Sequence, residues 1–532
     1  DAAEAALRAL VALDSTQARV WNSLGGIAQR RDDQAAAATA FRRALALDPQ
    51  LADAHNNLGV ALHGLRRNAE AIASYRQALA LRPQYAKAEL NLGVALMDEG
   101  ELEAAGELLR AALALEPKLP QAHYNLGNLL EKQAALEEAA ASFRRAAQLA
   151  PEFYEAHNNL GAVLLKAGKP AGALASFERA LALNPRHAEA HHNLGNTLAD
   201  LGRDADALAS YRQAVALDPA HVQAAFAEAM LTLLAGELRV GFEQYESRWR
   251  LETLPPRGFA APLWNGEDLA GRTILLHAEQ GYGDTIQCLR YVPQVAARGG
   301  RIVLEVPTEL LGLARRLPEI DELVARGDAL PEFELQCPLF SLPRAFGTTL
   351  DSIPAPVPYL GAAPEAVARW RERLGTAPGL KVGIAWAGSP MHRSDAQRSI
   401  AIEQWLPLLR LEGVRWFSLQ AGARAADLAR LPEGLVTDLA LELRDFAETA
   451  AAIRNLDLVI AVDTAVAHLA GALGSPAFVL LRERPDWRWL LGRDDSPWYP
   501  TLRLFRQRRA GDWEDVLRRV RGVLKRMVGE RG

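Results

Sequence analysis

The chain has 532 residues, too many for one ordinary hydrophobic core, so it is expected to divide into several domains. Its 60 Lys and Arg nearly balance 65 Asp and Glu, so no basic surplus points to nucleic acid and no charged block forms a tail. With 49% hydrophobic residues it has the means to bury a core, which excludes a disordered chain. The two cysteines, Cys288 and Cys337, lack metal-ligand spacing and fit a reducing cytosol rather than a disulfide framework. The sequence opens on Asp1 rather than Met, as expected of a fragment.

In chain order, the first pattern is a repeat. Pro49, Pro83, Pro117, Pro151, Pro185 and Pro219 recur every 34 residues, and Gly25, Gly59, Gly93, Gly127, Gly161 and Gly195 keep the same period. This is the period of the tetratricopeptide repeat, a helical hairpin with small residues where its helices touch and Pro after the second helix. Six full repeats are expected over residues 18–221, after a partial one at 1–17. Residues 222–250 read as a degenerate repeat, a cap or a junction to the next domain, in which Ala229 takes the glycine's place. The array, residues 1–250, is therefore expected to be an α-helical superhelix (an α-solenoid) with the first helix of each repeat on its concave face.

Two residues before the glycines stand Asn57, Asn91, Asn125, Asn159 and Asn193. Asn is a mediocre helix former, so its recurrence asks for a reason. A ladder of side-chain amides suits capture of an extended peptide, since each both donates and accepts; a general feature of the repeat is the equal alternative. His55, His123, His157 and His191 fall where Trp21 packs in the first repeat, which points to packing. The motif AHNNLG at 54–59 and 156–161 resembles the repeats of protein O-GlcNAc transferases, in which an asparagine ladder is associated with protein substrates.

Residues 251–271 are rich in Pro and Gly and read as a linker with some docking residues. From residue 272 the pattern becomes strand, glycine-rich turn, helix, strand, with TILLH and RIVLEV as strands. A second region supplies LKVGIAW, VRWFSLQ, LDLVIAV and PAFVLL. The apolar stretch 456–481 is broken by Asp457, Asp463, His468, Gly471, Gly474 and Pro476, so it reads as buried β-α-β and not as a membrane span. Two Rossmann-like lobes are expected, a short one at 272–360 and a C-terminal one at 361–532, with ligands at the carboxyl ends of their strands.

Four such ends carry polar residues. Gly281, Gly283 and Asp284 precede a helix; the glycines permit close backbone approach to an anion, and Asp284 is a helix cap or a general base. Arg393 and Arg398 lie in a polar loop, either neutralising phosphates or solvated. Gln420 ends a strand, or touches a base or ribose. Asp463 and Thr464 would cap a helix whose N-terminus suits a diphosphate, and His468 sits one turn in, at a core position.

The stretches GDTIQCLRYVP at 283–293 and AVDTAVAHLAGALGSPAFVLL at 461–481 resemble the best-marked motifs of the ADP-heptose:lipopolysaccharide heptosyltransferases. That resemblance implies a GT-B fold and an inverting, metal-independent glycosyltransferase with no cofactor beyond its nucleotide-sugar donor. It implies Asp284 as catalytic base and Arg398, Asp463, Thr464 and His468 at the donor diphosphate, with Ser389 and Gln420 as looser matches for donor contacts. Ala465 stands where the family has glycine, and the first lobe is much shorter than the family's. The segment 482–507 also departs from the family's usual region, and its aromatics and arginines are expected to shape the donor pocket or pack the lobes together.

The combined expectation is a cytoplasmic glycosyltransferase acting on a protein or peptide held in the repeat groove, without metal, nucleic acid or a membrane span. The alternatives are a non-catalytic repeat scaffold with a degenerate GT-B domain, and a glycosyltransferase for lipid or polysaccharide.

Overall fold

The computed structural model describes residue 14 and residues 16–390 and 395–530. The partial repeat expected before residue 18 lies largely outside them, and Arg393 lies outside them entirely. The chain forms two compact units, Asp1–His221 and Val222–Gly532.

The first unit is the helical array. Its hairpins run from Ala18–Arg30 with Gln34–Leu47 to Ala188–Asp200 with Asp204–Leu217. The periodic glycines mark where the two helices of a hairpin touch. A Cβ at Gly59 would lie 2.5 Å from the Tyr75 ring, and one at Gly127 or Gly161 would lie 2.7 or 2.8 Å from Phe143 or Phe177. In the third repeat Leu109 replaces the ring, and a Cβ at Gly93 would sit 3.2 Å from it. Period and aromatic are thus one packing unit, and burying each ring contributes about 2–3 kcal/mol.

The turn inside each hairpin has a left-handed residue at the same register: Asp32, Arg66, Gly100, Ala134, Gly168 and Gly202 all have positive φ. The recurrent histidines close the hairpin-to-hairpin turn. Nε2 of His55, His123, His157 and His191 lies 3.0, 3.0, 3.2 and 3.0 Å from the carbonyl oxygens of Pro49, Pro117, Pro151 and Pro185. The packing role read from the sequence is therefore accompanied by a polar one, since each ring satisfies a carbonyl left open behind a helix end.

The second unit holds two parallel sheets. The first has strand order β3-β2-β1-β4, with β1 Thr273–His277, β2 Arg301–Val306, β3 Glu322–Ala325 and β4 Leu335–Pro338. The second has order β10-β9-β8-β5-β6-β7, with β5 Leu380–Ala385, β6 Val414–Ser418, β7 Thr437–Asp438, β8 Leu458–Val462, β9 Ala477–Leu481 and β10 Leu502–Arg506. Renumbered from β5, this is the 3-2-1-4-5-6 order of a doubly wound sheet, whose topological switch falls between β5 and β8. Strands β8 and β9 are buried along their whole length, as a sheet covered on both faces requires.

Two stretches are more tightly built than their composition suggests. Within residues 251–271, Trp264 is fully buried, its amide donates to the Gln336 carbonyl at 2.9 Å, and Leu263 bridges to the edge of β4. This segment is part of the first lobe.

The cap hairpin, Val222–Leu234 and Leu238–Tyr245, belongs to the same compact unit as the sheets. Phe242 meets the Trp487 ring edge-on at 5.4 Å. Arg248 is wholly buried and donates to Glu246 Oε1 at 2.7 Å, Glu279 Oε1 at 3.1 Å and Ser341 Oγ at 2.8 Å.

Candidate functional site

At the switch point, β5 and β8 pair in register up to Ala385 opposite Ala461, so the loops after them open side by side. Strand β8 runs into Asp463 and Thr464, and Thr464 is the N-cap of the helix Ala465–Ala472. Its side chain makes no capping bond, and its buried Oγ1 has no hydrogen-bond partner among the described residues. The first amides of that helix and one hydroxyl thus converge at a place suited to an anion.

The loop after β5 brings up Arg398. Its guanidinium lies so close to Gly388 that a Cβ there would be 2.5 Å from Nη2. Arg398 Nε is 3.6 Å from Asp395 Oδ1 and, though buried, has no hydrogen-bond partner among the described residues. Asp395 also accepts from Ser399 Oγ at 2.8 Å, and Ser399 Oγ in turn accepts from the Gly388 amide at 3.1 Å. Gly388, which no motif marked, is thus the glycine that admits the arginine. Ser389 is exposed at the loop's surface.

Gln420 is buried, and its Oε1 accepts from the Trp386 and Ala387 amides at 3.1 and 3.0 Å. It holds the end of β5 against the end of β6, so its carbonyl oxygen is committed to the backbone.

From the other lobe, β1 leads to Gly281 and the helix Tyr282–Cys288. Asp284 Oδ2 accepts from the Gly281 amide at 2.9 Å, the reach-back bond of an acid in a first helical turn. Asp284 Oδ1 accepts from Arg488 Nη2 at 2.6 Å. Arg488, in the connection between β9 and β10, also donates to Asp486 Oδ1 at 2.6 Å and Gln287 Oε1 at 2.9 Å, and its guanidinium lies over the Trp487 ring. This cation ties the Gly-Asp loop of one lobe to the second lobe.

Gly283 has a different neighbour from the anion anticipated: a Cβ on it would lie 2.7 Å from His468 Cδ2. The glycine lets the helix Tyr282–Cys288 close onto the helix Ala465–Ala472. His468 is buried, and its Nδ1 lies 2.9 Å from the Tyr499 hydroxyl. Burial, together with Arg488, Arg290 and Arg398, drives its pKa well below the usual imidazole value, so the ring is neutral.

Asp463 moves the other way. Burial and the neighbouring Asp486 raise its carboxyl from the usual 3.8 to about 6, against the pull of Arg488 and Arg398. Arg290 completes the seam: it is buried, donates to the Trp498 carbonyl at 2.8 Å, and stacks over Tyr359 and Tyr499. Segment 482–507, whose role the sequence left open, therefore packs the lobes together.

In the array, three of the five ladder asparagines donate to asparagines at other registers rather than to one another. Asn57 Nδ2 donates to Asn22 Oδ1 at 3.2 Å, Asn91 to Asn56 at 2.9 Å, and Asn159 to Asn128 at 3.0 Å. Asn125 instead donates to the Gln121 carbonyl and Asn193 to Glu189, each at one turn's distance. All five keep partial exposure.

Comparison with known proteins separates the two halves in the same way. Tetratricopeptide repeat families match residues 158–222, 31–65 with 93–133, 52–85 and 120–153. Residues 414–491 match Glycosyltransferase family 9 (heptosyltransferase), a span that holds Gln420, Asp463, Thr464, His468 and Arg488. The chain thus carries a tetratricopeptide repeat array followed by a glycosyltransferase family 9 domain.

Protein FlbA of Caulobacter vibrioides is 30% identical over 333 residues, covering 56% of this chain and 54% of that protein, so the chain spans about half the length of this relative. Solved structures similar to it include the APC/C hetero-tetramer Cut9-Hcn1 (19% identity, TM-score 0.41, 43% of this chain and 46% of that one). Others are YrrB, described as a TPR protein with an unusual peptide-binding site (27%, 0.32, 36% and 98%), and Pseudomonas aeruginosa pilF (26%, 0.36, 39% and 93%).

Proposed function

We propose that the chain transfers a sugar from a nucleotide-sugar donor to a protein or peptide held by the repeats, with inversion and without a metal. The observation that carries the reading is the open start of the helix Ala465–Ala472: among the described residues its buried cap hydroxyl and the Arg398 Nε have no hydrogen-bond partner, and Arg398 Nε keeps only an ion pair with Asp395 at 3.6 Å. A diphosphate would take the helix amides, Thr464 Oγ1 and Arg398, so the leaving group's charge is met by fixed dipoles and one cation.

In this scheme Asp284, held in place by the Gly281 amide and Arg488, takes the proton from the acceptor hydroxyl as its oxygen attacks the anomeric carbon. The bond to the diphosphate breaks on the opposite face, and Arg398 and the helix start receive the charge. A positioned base is worth about 100-fold to 10,000-fold in rate. The ladder asparagines would exchange their present bonds for bonds to a peptide backbone.

Asp284→Asn keeps the size of the side chain and removes the base, at the loss of one of the two bonds that Gly281 and Arg488 donate to it. It is expected to lower transfer by at least about 100-fold while calorimetry still detects nucleoside diphosphate. Wild-type turnover in that variant removes Asp284 from the chemistry.

A second reading, a nucleotide-binding scaffold without catalysis, draws on the same two contacts, because both carboxylate oxygens of Asp284 already hold structural partners. Mass spectrometry of proteins co-expressed with the wild type and the Asp284→Asn form decides between them: a hexose- or heptose-sized mass increase only with the wild type supports transfer, and none with either supports the scaffold.

A further inference from the structure

In the last full repeat three residues meet in space: Glu189, whose register also carries Glu155 and Asp53, and two histidines, His192 and His221. Glu189 opens the helix Ala188–Asp200, His192 follows one turn later, and His221 is the final residue of the array unit. His221 Nε2 lies 3.0 Å from Glu189 Oε2, and His192 Nδ1 lies 3.9 Å from Glu189 Oε1. The two imidazoles meet edge-on with centroids 4.9 Å apart, and one ligand atom from each of the three residues lies within 4.8 Å of the others.

The sister repeats carry ordinary packing or hydrogen-bonding residues here. At the register of His221 they have Leu51, Tyr85, Leu119, Phe153 and His187, and at that of His192 they have Asn56, Leu90, Tyr124 and Asn158. In the second repeat the corresponding contact is a plain hydrogen bond from the Tyr85 hydroxyl to Asp53 at 2.9 Å. Only the last repeat places two imidazoles on one carboxylate.

The geometry points to a binding site for a borderline divalent cation such as Zn2+, formed by Glu189, His192 and His221. Two neutral imidazoles and a carboxylate are a donor set that zinc accepts, with metal distances of about 2.0–2.2 Å. Ligand atoms on a tetrahedral ion at that distance are about 3.4 Å apart, so the widest separation must close by up to about 1.4 Å, within reach of side-chain rotation, while the 3.0 Å pair opens a little. His192 Nδ1 is buried with no hydrogen-bond partner among the described residues, which leaves it available to a metal.

Support from behind is also present. Asn196 Nδ2 lies 3.3 Å from His192 Nε2, and Asn196 Oδ1 accepts from the Tyr211 hydroxyl at 2.8 Å. Rotating that amide by half a turn lets it accept from Nε2–H, the orientation a metal on Nδ1 requires, while Tyr211 becomes the acceptor. The histidine side chains are 14% and 9% exposed and Glu189 is 55% exposed, so the site is walled by imidazole and open to water on the carboxylate side. A bound cation would staple the start of the helix Ala188–Asp200 to the end of the array.

The test uses the full chain, stripped with a chelator and titrated with ZnCl2 by calorimetry. The expectation is one equivalent bound at micromolar or lower concentration, with a rise in the thermal midpoint. His192→Asn and His221→Tyr install side chains that sister repeats carry at those positions, so the hairpins are expected to fold, as circular dichroism checks. Each is expected to weaken zinc binding by at least about tenfold and to remove the visible absorption of the Co2+-loaded protein. His63→Ala, at a separate His-Asp pair, is expected to bind zinc as the wild type does. Absence of stoichiometric uptake by the wild type, or equal uptake by both histidine variants in folded form, overturns the proposal.

Discussion

Asp463 carries the most pH-sensitive consequence of the second unit. With its carboxyl raised from 3.8 to about 6, the folded chain holds this proton more tightly than the unfolded chain does. The stability it contributes is therefore present at pH 4 and lost as pH rises through about 6, by at most about 3 kcal/mol. A diphosphate beside Asp463 would favour the neutral acid, so nucleotide affinity should fall between pH 5 and 7 more steeply in the wild type than in Asp463→Asn; calorimetry across that range measures it.

Gly283 gives a second test at this scale. Gly283→Ala forces a methyl against the His468 ring, which Tyr499 holds from the other side, and should cost about 1–3 kcal/mol in urea unfolding. The motif made this glycine visible in the sequence, but its reason lay elsewhere: the partner is a ring 185 residues further along, and periodicity carries no information about such a neighbour. Arg488 was harder still to see, because a buried arginine with two carboxylate partners has no local signature among the aromatics around it.

Among the elements, the array was the most legible, since one 34-residue unit states its packing six times. The glycine, the aromatic and the proline each mark one contact of the hairpin. The turns follow the same register, with glycine at Gly100, Gly168 and Gly202 and the strained Asp32, Arg66 and Ala134 at the other three. Ala134→Gly should accordingly stabilise the chain by up to about 1 kcal/mol, seen as a higher urea midpoint, since glycine adopts this φ without a Cβ penalty.

In the α/β half, strands β1, β2, β5, β6, β8 and β9 were legible as apolar runs, whereas β3, β4, β7 and β10 were not. β3 and β7 are short and largely unburied, and β4 and β10 mix polar residues or Pro into the run. Strand order was not legible at all: pairing β5 with β8 brings together segments 78 residues apart by their first residues, and only that pairing sets the two site loops side by side.

For the whole molecule, composition shifts suggested a division near residue 250, whereas the compact division falls after His221. The difference has a physical cause: Phe242 and Arg248, in the stretch read as a cap or a junction, fill places among the aromatics and acids of the α/β half, which favours the junction. Glu279, whose carboxyl is raised by burial to about 7 against the pull of Arg248, would lose that counter-charge in a chain beginning at 251. Truncation to residues 222–532 is expected to give a folded protein with a single cooperative thermal transition. Truncation to 251–532 should lower its midpoint by several degrees or more, since unpairing a buried charge costs about 3–5 kcal/mol; calorimetric scans of the two forms compare them directly. The membrane reading has one observation beside it: among the described residues no helix is long and apolar enough to cross a bilayer.

The seat of Arg248 also bears on modularity. The hairpin Val222–Tyr245 and the turn after it are anchored by Arg248 to Glu279 and Ser341, so they belong to the α/β unit rather than to the array. Shortening, lengthening or replacing the 34-residue units ahead of residue 222 is then expected to leave the contacts of Arg248, Glu279 and the Gly-Asp loop intact, because both partners of each lie within the second unit. The repeats and the α/β half can then be altered independently, by recombination in nature or by grafting in the laboratory.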